Sequence, residues 1–207
     1  DLKKFLKATL EQAKDLDDME ITAGYEVKGK FKSPITVENN ATADAYEFNT
    51  RYIKDVKNGP SPKWLVDYLS SVEMNSISAL VDITNYCLHS LNRPLHVFDA
   101  DKIKGKLVVD YAKGGEEFIA LDGNTYILNA GDIVIRDDNG IQSLAGVMGG
   151  LATSCTMETK NVLLESAYFN PVVIRKTARQ LKIESDSKAR FERGIDPCCT
   201  VWGMEFA

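Results

Sequence analysis

The sequence is poor in the residues that bind metals. Its 207 residues include two histidines and four cysteines, and no two cysteines have the Cys-x-x-Cys spacing. Structural zinc sites usually take four ligands from closely spaced cysteines and histidines, so no metal site is predicted. Scattered cysteines without a secretory leader are typical of the reducing cytoplasm, which is the predicted location.

Long apolar runs and a positive net charge are also missing. No stretch of about 18 apolar residues occurs, so we expect no membrane span and no membrane partner. The formal net charge of -5 argues against a dedicated DNA-binding or RNA-binding clamp, although a local basic patch is compatible with it. The chain opens on Asp1-Leu2-Lys3-Lys4 without a methionine, and we interpret it as a piece of a longer protein.

The patterns that are present predict an α+β fold. Between about residues 105 and 167, short apolar runs alternate with turn signals such as Asp122-Gly123-Asn124, which is typical of antiparallel strands. Apolar periodicity predicts helices near 62–72, 76–91 and 171–181. We therefore expect an antiparallel-rich mixed sheet flanked by these helices.

The first part of the chain has a different character. An apolar stripe predicts an N-terminal helix over residues 2–14. Alternating Tyr25, Val27 and Phe31 predict a strand, and a longer exposed strand is expected to begin at Tyr46. We interpret this region as a connecting arm without a site.

Residues 80–98 hold the main functional candidates. Thr84 and Asn85 lie side by side in an apolar run, a short helical pattern follows, and Pro94 ends it because proline disfavours helix at the preceding residue. His96 comes next, between apolar residues. It is either a core histidine bonded to the backbone, or a general base or water-positioning group.

Two further candidates lie downstream. Gly149-Gly150 is either an ordinary turn or a wall where a substrate approaches bare backbone. Glu165 follows three consecutive aliphatic residues, where an unpaired carboxylate would be costly, so a partner is expected unless it lies exposed at a strand end.

Charged residues near the C-terminus suggest solvated or structural roles. The polar side of the predicted helix at 171–181 is interpreted as a solvated face that could also touch phosphates. Four residues that follow it predict a local ion-pair network: Arg190, Glu192, Arg193 and Asp196.

Five sequence blocks occur together and in order. They are Val-Asp-Ile-Thr-Asn-Tyr at 81–86, Arg-Pro-Leu-His-Val-Phe-Asp at 93–99, Ala-Gly-Val-Met-Gly-Gly at 145–150, Leu-Glu-Ser-Ala at 164–167 and Arg-Phe-Glu-Arg-Gly-Ile-Asp-Pro at 190–197. Together they resemble the editing domain of the beta subunit of bacterial phenylalanine–tRNA ligase. The resemblance implies an editing domain over 46–200, preceded at 1–45 by the tail of a helical domain and a linker, and followed at 201–207 by the start of the next segment.

The resemblance also implies a function. The whole enzyme, a heterotetramer of alpha and beta subunits, joins phenylalanine to tRNA(Phe) with ATP and magnesium, and its synthetic site lies in the alpha subunit. The editing domain hydrolyses tyrosyl-tRNA(Phe) and needs no cofactor of its own. Editing is physically reasonable because an apolar pocket rejects an extra hydroxyl only by about a hundredfold.

Position by position, the resemblance assigns eight residues to the pocket. His96, Thr84 and Asn85 are the catalytic group, which would hold the terminal adenosine and the hydrolytic water. The substrate-binding residues are Glu165, which would accept the phenol hydrogen bond, and Gly149, Pro94, Ser185 and Ser187.

The sequence departs from the family at residues 185–188. The family usually has Thr-Asp-Ala-Ser there, and this chain has Ser-Asp-Ser-Lys. Ser187 would add a polar atom to the pocket wall. The alternative function is therefore a non-catalytic structural or RNA-binding module of the same synthetase, in which editing has decayed.

Overall fold

A computed structural model describes residues 27–207 and confirms the α+β class. Within this range the helices are α1 (Lys63–Ser71), α2 (Ala79–Leu91), α3 (Pro171–Leu181), α4 (Asp186–Phe191) and α5 (Thr200–Phe206). The strands are β1 (Val37–Asn39), β2 (Ala45–Ile53), β3 (His96–Asp99), β4 (Leu107–Tyr111), β5 (Glu117–Ile119), β6 (Thr125–Ile127), β7 (Ile133–Asp137), β8 (Gly140–Leu144), β9 (Met148–Gly149) and β10 (Val162–Phe169). The three helices predicted from periodicity correspond to α1, α2 and α3.

The strands form three separate sheets. One has the order β1-β4-β7-β8-β9, a second has the order β2-β10-β3, and β5 pairs with β6 in a hairpin. Only β1 and β4 pair in parallel among these strands, so the predicted antiparallel-rich mixed pattern is confirmed. The hairpin turn contains Gly123 at a φ of 81°, as the Asp-Gly signal predicts.

The second sheet positions the functional candidates. β10 lies in its middle and pairs antiparallel with β2 on one side and with β3 on the other. β3 starts two residues after Pro94, and Asn92 ends α2 in the left-handed region at a φ of 52°. A short reversal therefore carries the chain from α2 directly into the sheet.

The region expected to be a connecting arm is part of the fold. β2 pairs along the length of β10, and Ala41 and Ala45 are buried in the main core. Residues 27–36 contain no strand, so the strand predicted around Val27 and Phe31 is wrong. The predicted N-terminal helix lies outside the described residues.

Two apolar clusters stabilise this arrangement. The larger one joins the five-stranded sheet, β10 and α3, and includes Phe98, Leu163 and Phe169. A smaller one brings Val162, Leu164 and Met204 together, so α5 packs on the outer side of the second sheet. Residues after 200 thus belong to the same packed unit.

The predicted C-terminal ion-pair network does not form as expected. Arg190 bonds Asp186 one helical turn earlier, at 2.9 Å, and Glu192 pairs with Lys188 at 3.3 Å. Both pairs are spaced i, i+4, which is the spacing that brings helical side chains together. Arg190 and Glu192 therefore pair with earlier residues of α4, and none of the four predicted residues forms an ion pair with another of the four in the described structure.

Candidate active site

A cavity of about 540 Å³ lies between α2, the second sheet and the loop before α4. Its volume falls within the range of pockets that hold small organic ligands. It is lined by residues from several elements, including all eight predicted site residues: Thr84, Asn85, Pro94, His96, Gly149, Glu165, Ser185 and Ser187. The fold brings them together, and their individual roles stay predictions.

His96 and Glu165 are direct neighbours in this cavity. They are paired residues on the antiparallel strands β3 and β10, so both side chains project from the same face of the sheet. The His96 ring lies edge-on to Phe98, with ring centres 4.3 Å apart. His96 Nε2 and Glu165 Oε2 are both buried and have no hydrogen-bond partner among residues 27–207.

Burial shifts the pKa of both groups. Desolvation raises the pKa of Glu165 to about 8 and lowers the pKa of His96 to about 4. An apolar environment disfavours the charged form of either group. At pH 7 the fold therefore holds a neutral imidazole beside a largely neutral carboxyl group, and the partner expected for Glu165 is not present within the described residues.

Gly149 provides the space for the His96 ring. A Cβ atom added at Gly149 would overlap His96 Cε1 and lie 2.9 Å from His96 Nε2, which is closer than packed atoms allow. A glycine at this position therefore lets the imidazole lie against the backbone of β9. This contact with His96 explains why residue 149 is a glycine more directly than an ordinary turn does.

Helix α2 supplies Thr84 and Asn85. Thr84 is buried and donates its hydroxyl hydrogen to Val81 O at 2.7 Å, so its oxygen can act only as an acceptor toward the cavity. Asn85 is half-buried and also borders the cavity. An acceptor and an amide thus lie next to each other on one turn of the helix.

The start of α2 is held by a buried carboxylate that the motifs did not single out. Asp82 is fully buried and accepts hydrogen bonds from Ser61 Oγ and Ser76 Oγ at 2.5 Å each, and from Ile77 N at 2.8 Å. Burial alone would raise the pKa of Asp82, but these bonds outweigh it and hold the pKa below its usual value. The sequence signal available for these bonds was a serine on each side of α1, Ser61 and Ser76.

Ser185 and Ser187 are used mainly by the fold. Ser185 Oγ accepts from Lys188 N at 3.1 Å, as an N-cap does, and donates to Val147 O at 2.6 Å. Ser187 Oγ lies 3.4 Å from Gly146 O. Both hydroxyls therefore connect α4 to the loop that precedes Gly149, in addition to bordering the cavity.

Arg93 is a further residue that sequence reasoning missed. It is 1% exposed, and its guanidinium donates to the carbonyl oxygens of Ala167 and Asp196. A buried guanidinium is costly unless it is hydrogen-bonded. Arg93 thus joins the segment before β3, β10 and the C-terminal segment.

Neither metal ligation nor a membrane helix is indicated in the described part of the chain. Residues 27–207 contain no cluster of three or more His, Cys, Asp or Glu side chains placed to hold a metal ion. None of the helices in this range is long and apolar enough to cross a membrane.

Comparison with known proteins identifies the class of domain. Residues 44–207 match the B3/4 domain family, and the chain belongs to this family. More particularly, its sequence is similar to part of the phenylalanine–tRNA ligase beta subunit. It is 50% identical over 197 residues to that subunit from Ruegeria pomeroyi, covering 94% of this chain and 25% of the relative. It is 53% identical over 184 residues to that of Cereibacter sphaeroides, covering 87% of this chain and 23% of the relative.

The chain spans about a quarter of the length of these relatives. Among solved structures, it is similar to an N-terminal fragment of the phenylalanyl-tRNA synthetase beta subunit from Pyrococcus horikoshii, with a TM-score of 0.51 and 16% sequence identity. The alignment covers 77% of this chain and 50% of that fragment. At this identity the likeness concerns the fold alone.

Proposed function

We propose that this chain is an editing domain that hydrolyses tyrosyl-tRNA(Phe) within a phenylalanine–tRNA ligase. The observation that carries the proposal is the pairing of His96 and Glu165 inside one cavity, each with a buried polar atom that has no partner in the described chain. Most buried polar groups are hydrogen-bonded, and of the seven buried side-chain atoms without a partner in residues 27–207, these two are the ones that belong to the cavity lining. A polar ligand that fills the cavity supplies a partner.

Glu165 is suited to recognise the phenol of a misattached tyrosine. Because burial raises its pKa to about 8, the neutral acid predominates at pH 7, and its carbonyl oxygen can accept the phenol hydrogen. Phenylalanine offers no hydroxyl and would leave the buried group unpaired, at a cost of about 1–3 kcal/mol. The pocket would thus favour the mischarged product over the cognate one.

His96 is suited to position the hydrolytic water. Its pKa of about 4 keeps the imidazole neutral at pH 7, so Nε2 can accept a hydrogen bond from water. The water oxygen attacks the ester carbonyl carbon, and the ribose oxygen leaves with a proton. Thr84 and Asn85 would hold the terminal ribose next to this carbonyl.

The wider context follows from the same proposal. The chain would work beside an alpha subunit that binds ATP and magnesium and attaches phenylalanine to tRNA(Phe) in the cytoplasm. The non-catalytic alternative rests on Ser187. Its hydroxyl is directed toward Gly146 O, which limits the polarity that it adds to the pocket.

The test is deacylation of tyrosyl-tRNA(Phe) by the intact alpha–beta enzyme that contains this chain. His96→Ala should slow hydrolysis; a loss of about a hundredfold or more would assign it a general-base role, and a smaller loss would assign it a role in positioning the water alone. His89→Ala is the matched control, because His89 is the other histidine and does not border the cavity; this variant should retain its rate. A wild-type enzyme that leaves tyrosyl-tRNA(Phe) intact would favour the non-catalytic module.

A further inference from the structure

Two exposed aliphatic side chains border the cavity. Ile77 is 64% exposed and Leu121 is 47% exposed, and both belong to the cavity lining. They come from separate parts of the chain, since Ile77 precedes α2 and Leu121 lies in the turn between β5 and β6. Large apolar side chains at an opening expose area that a ligand could remove from water.

The backbones of both residues are fixed to elements that carry the site. Ile77 N donates to Asp82 Oδ1 at 2.8 Å, on the helix that supplies Thr84. Leu121 N donates to Gly149 O at 3.0 Å, next to the His96 ring. The backbones of the two residues are therefore anchored next to the elements that carry the proposed reaction centre.

The charge of the cavity favours a neutral group at this opening. Among the described residues that line it, the acidic ones are Glu165 and Asp186, and there is no lysine or arginine. A phosphate group would find no cation there, and nucleic-acid phosphates are bound mainly by lysine and arginine. An uncharged group with apolar surface fits better.

We infer that Ile77 and Leu121 form the contact surface for the adenine base of the 3′-terminal nucleotide of the acylated tRNA. This inference rests on the proposed function, in which the substrate is an ester. If the tyrosyl group fills the cavity with its phenol at Glu165, the ribose and its base must lie toward the opening. A base packed on exposed apolar side chains gains affinity without hydrogen-bond readout.

The experiment combines a change in the protein with a change in the substrate. The intact alpha–beta enzyme carries Ile77→Ser and Leu121→Ser together. Its substrates are tyrosyl-tRNA(Phe) and the same molecule with a terminal ribose that lacks its base, made by chemical ligation. Ile127→Ser is the matched control, because Ile127 is 55% exposed on β6 and does not line the cavity.

The double variant should raise KM for normal tyrosyl-tRNA(Phe) by about five- to tenfold with little change in kcat, and the control variant should do neither. On the substrate without the base, the double variant and the wild type should have the same KM, because the contact is already lost. An equal rise in KM on both substrates would show that the side chains contact another part of the tRNA, and no rise would show no contact. Either result overturns the inference.

Failure of the inference is distinguishable from failure of the proposed function. If the wild-type enzyme does not hydrolyse tyrosyl-tRNA(Phe), the proposed function is wrong. If the wild type is active and the double variant behaves like Ile127→Ser, only the role of Ile77 and Leu121 is wrong. The single variants Ile77→Ser and Leu121→Ser are measured in the same KM assay, after urea denaturation has checked that each one folds.

Discussion

Asp82 and Glu165 are two buried carboxyl groups that differ in their hydrogen bonding. Asp82 is 0% exposed and Glu165 is 6% exposed. Asp82 receives two hydroxyl bonds and a backbone bond, whereas Glu165 Oε2 receives none from the described residues. Their pKa values accordingly move in opposite directions, below the usual value for Asp82 and up to about 8 for Glu165.

The difference separates a structural group from a ligand-recognising one. A buried carboxylate surrounded by donors stabilises the elements that carry those donors, here the loops on both sides of α1 and the start of α2. A buried carboxyl group without donors costs stability and is retained where a ligand completes it.

Asp82→Ala should destabilise the chain by at least ~3 kcal/mol, because three hydrogen bonds to one buried, charged acceptor are lost together. Glu165→Ala is the matched control and should change stability far less, since no described donor loses a partner. Urea denaturation of both variants measures the difference. Equal losses in the two variants would contradict the distinction.

Glu165→Ala should instead change selectivity, by about 1–3 kcal/mol. Hydrolysis of tyrosyl-tRNA(Phe) should slow, while cognate phenylalanyl-tRNA(Phe) should be hydrolysed as fast as before or faster, because the penalty for an unpaired group is gone. Both deacylation rates are measured in the same intact enzyme. If the deacylation rates of the two substrates fall by the same factor, Glu165 serves catalysis or structure and not selectivity.

The two carboxyl groups should have opposite effects on stability with pH. The folded pKa of Glu165 is about 8, above the ordinary value of 4.5, so the folded state holds a proton that the unfolded state releases, and stability falls as pH rises through this window. Glu165→Gln stays neutral and should exceed the wild type by at least ~1 kcal/mol at pH 8, or about 2–4 °C in Tm. At pH 4 the two proteins should melt together.

For Asp82 the sign is reversed. Its folded pKa is lowered, so its contribution is present above the unfolded pKa and is lost as pH falls through the folded pKa. The stability difference between wild type and Asp82→Ala should therefore shrink only on strong acidification. A difference that shrinks toward pH 8 would mean that the signs are assigned incorrectly.

Ser187→Ala should have the smallest effect. Ser187 Oγ makes one long contact, 3.4 Å to Gly146 O, so stability should change by less than ~1 kcal/mol. Discrimination of tyrosine from phenylalanine should be equal or better, since the family usually has alanine here. If clearance of tyrosine collapses in the deacylation assay, Ser187 is a hydrogen-bond partner of the substrate and the departure from the family is functional.

The sequence by itself determined the local elements and the chemistry available. Pro94 ended a helix, Asp122-Gly123 made a hairpin, and the apolar periodicity located α1, α2 and α3, because these signals act over a few residues of chain. The histidine in an apolar frame and the glutamate after three aliphatics were also visible. The resemblance of the sequence to one family could be stated from five short blocks.

Only the tertiary structure decided which of these residues meet. The register of β3 against β10 places His96 beside Glu165, although 68 residues lie between them in the sequence. Pairing at this distance depends on the whole sheet, including β2, whose local pattern predicted an exposed strand in a connecting arm and not its place beside β10. The same holds for Asp82, whose donors come from two loops: a helix pattern reveals that a carboxylate is buried, but its partners, and thus its pKa, follow from how the loops fold around it.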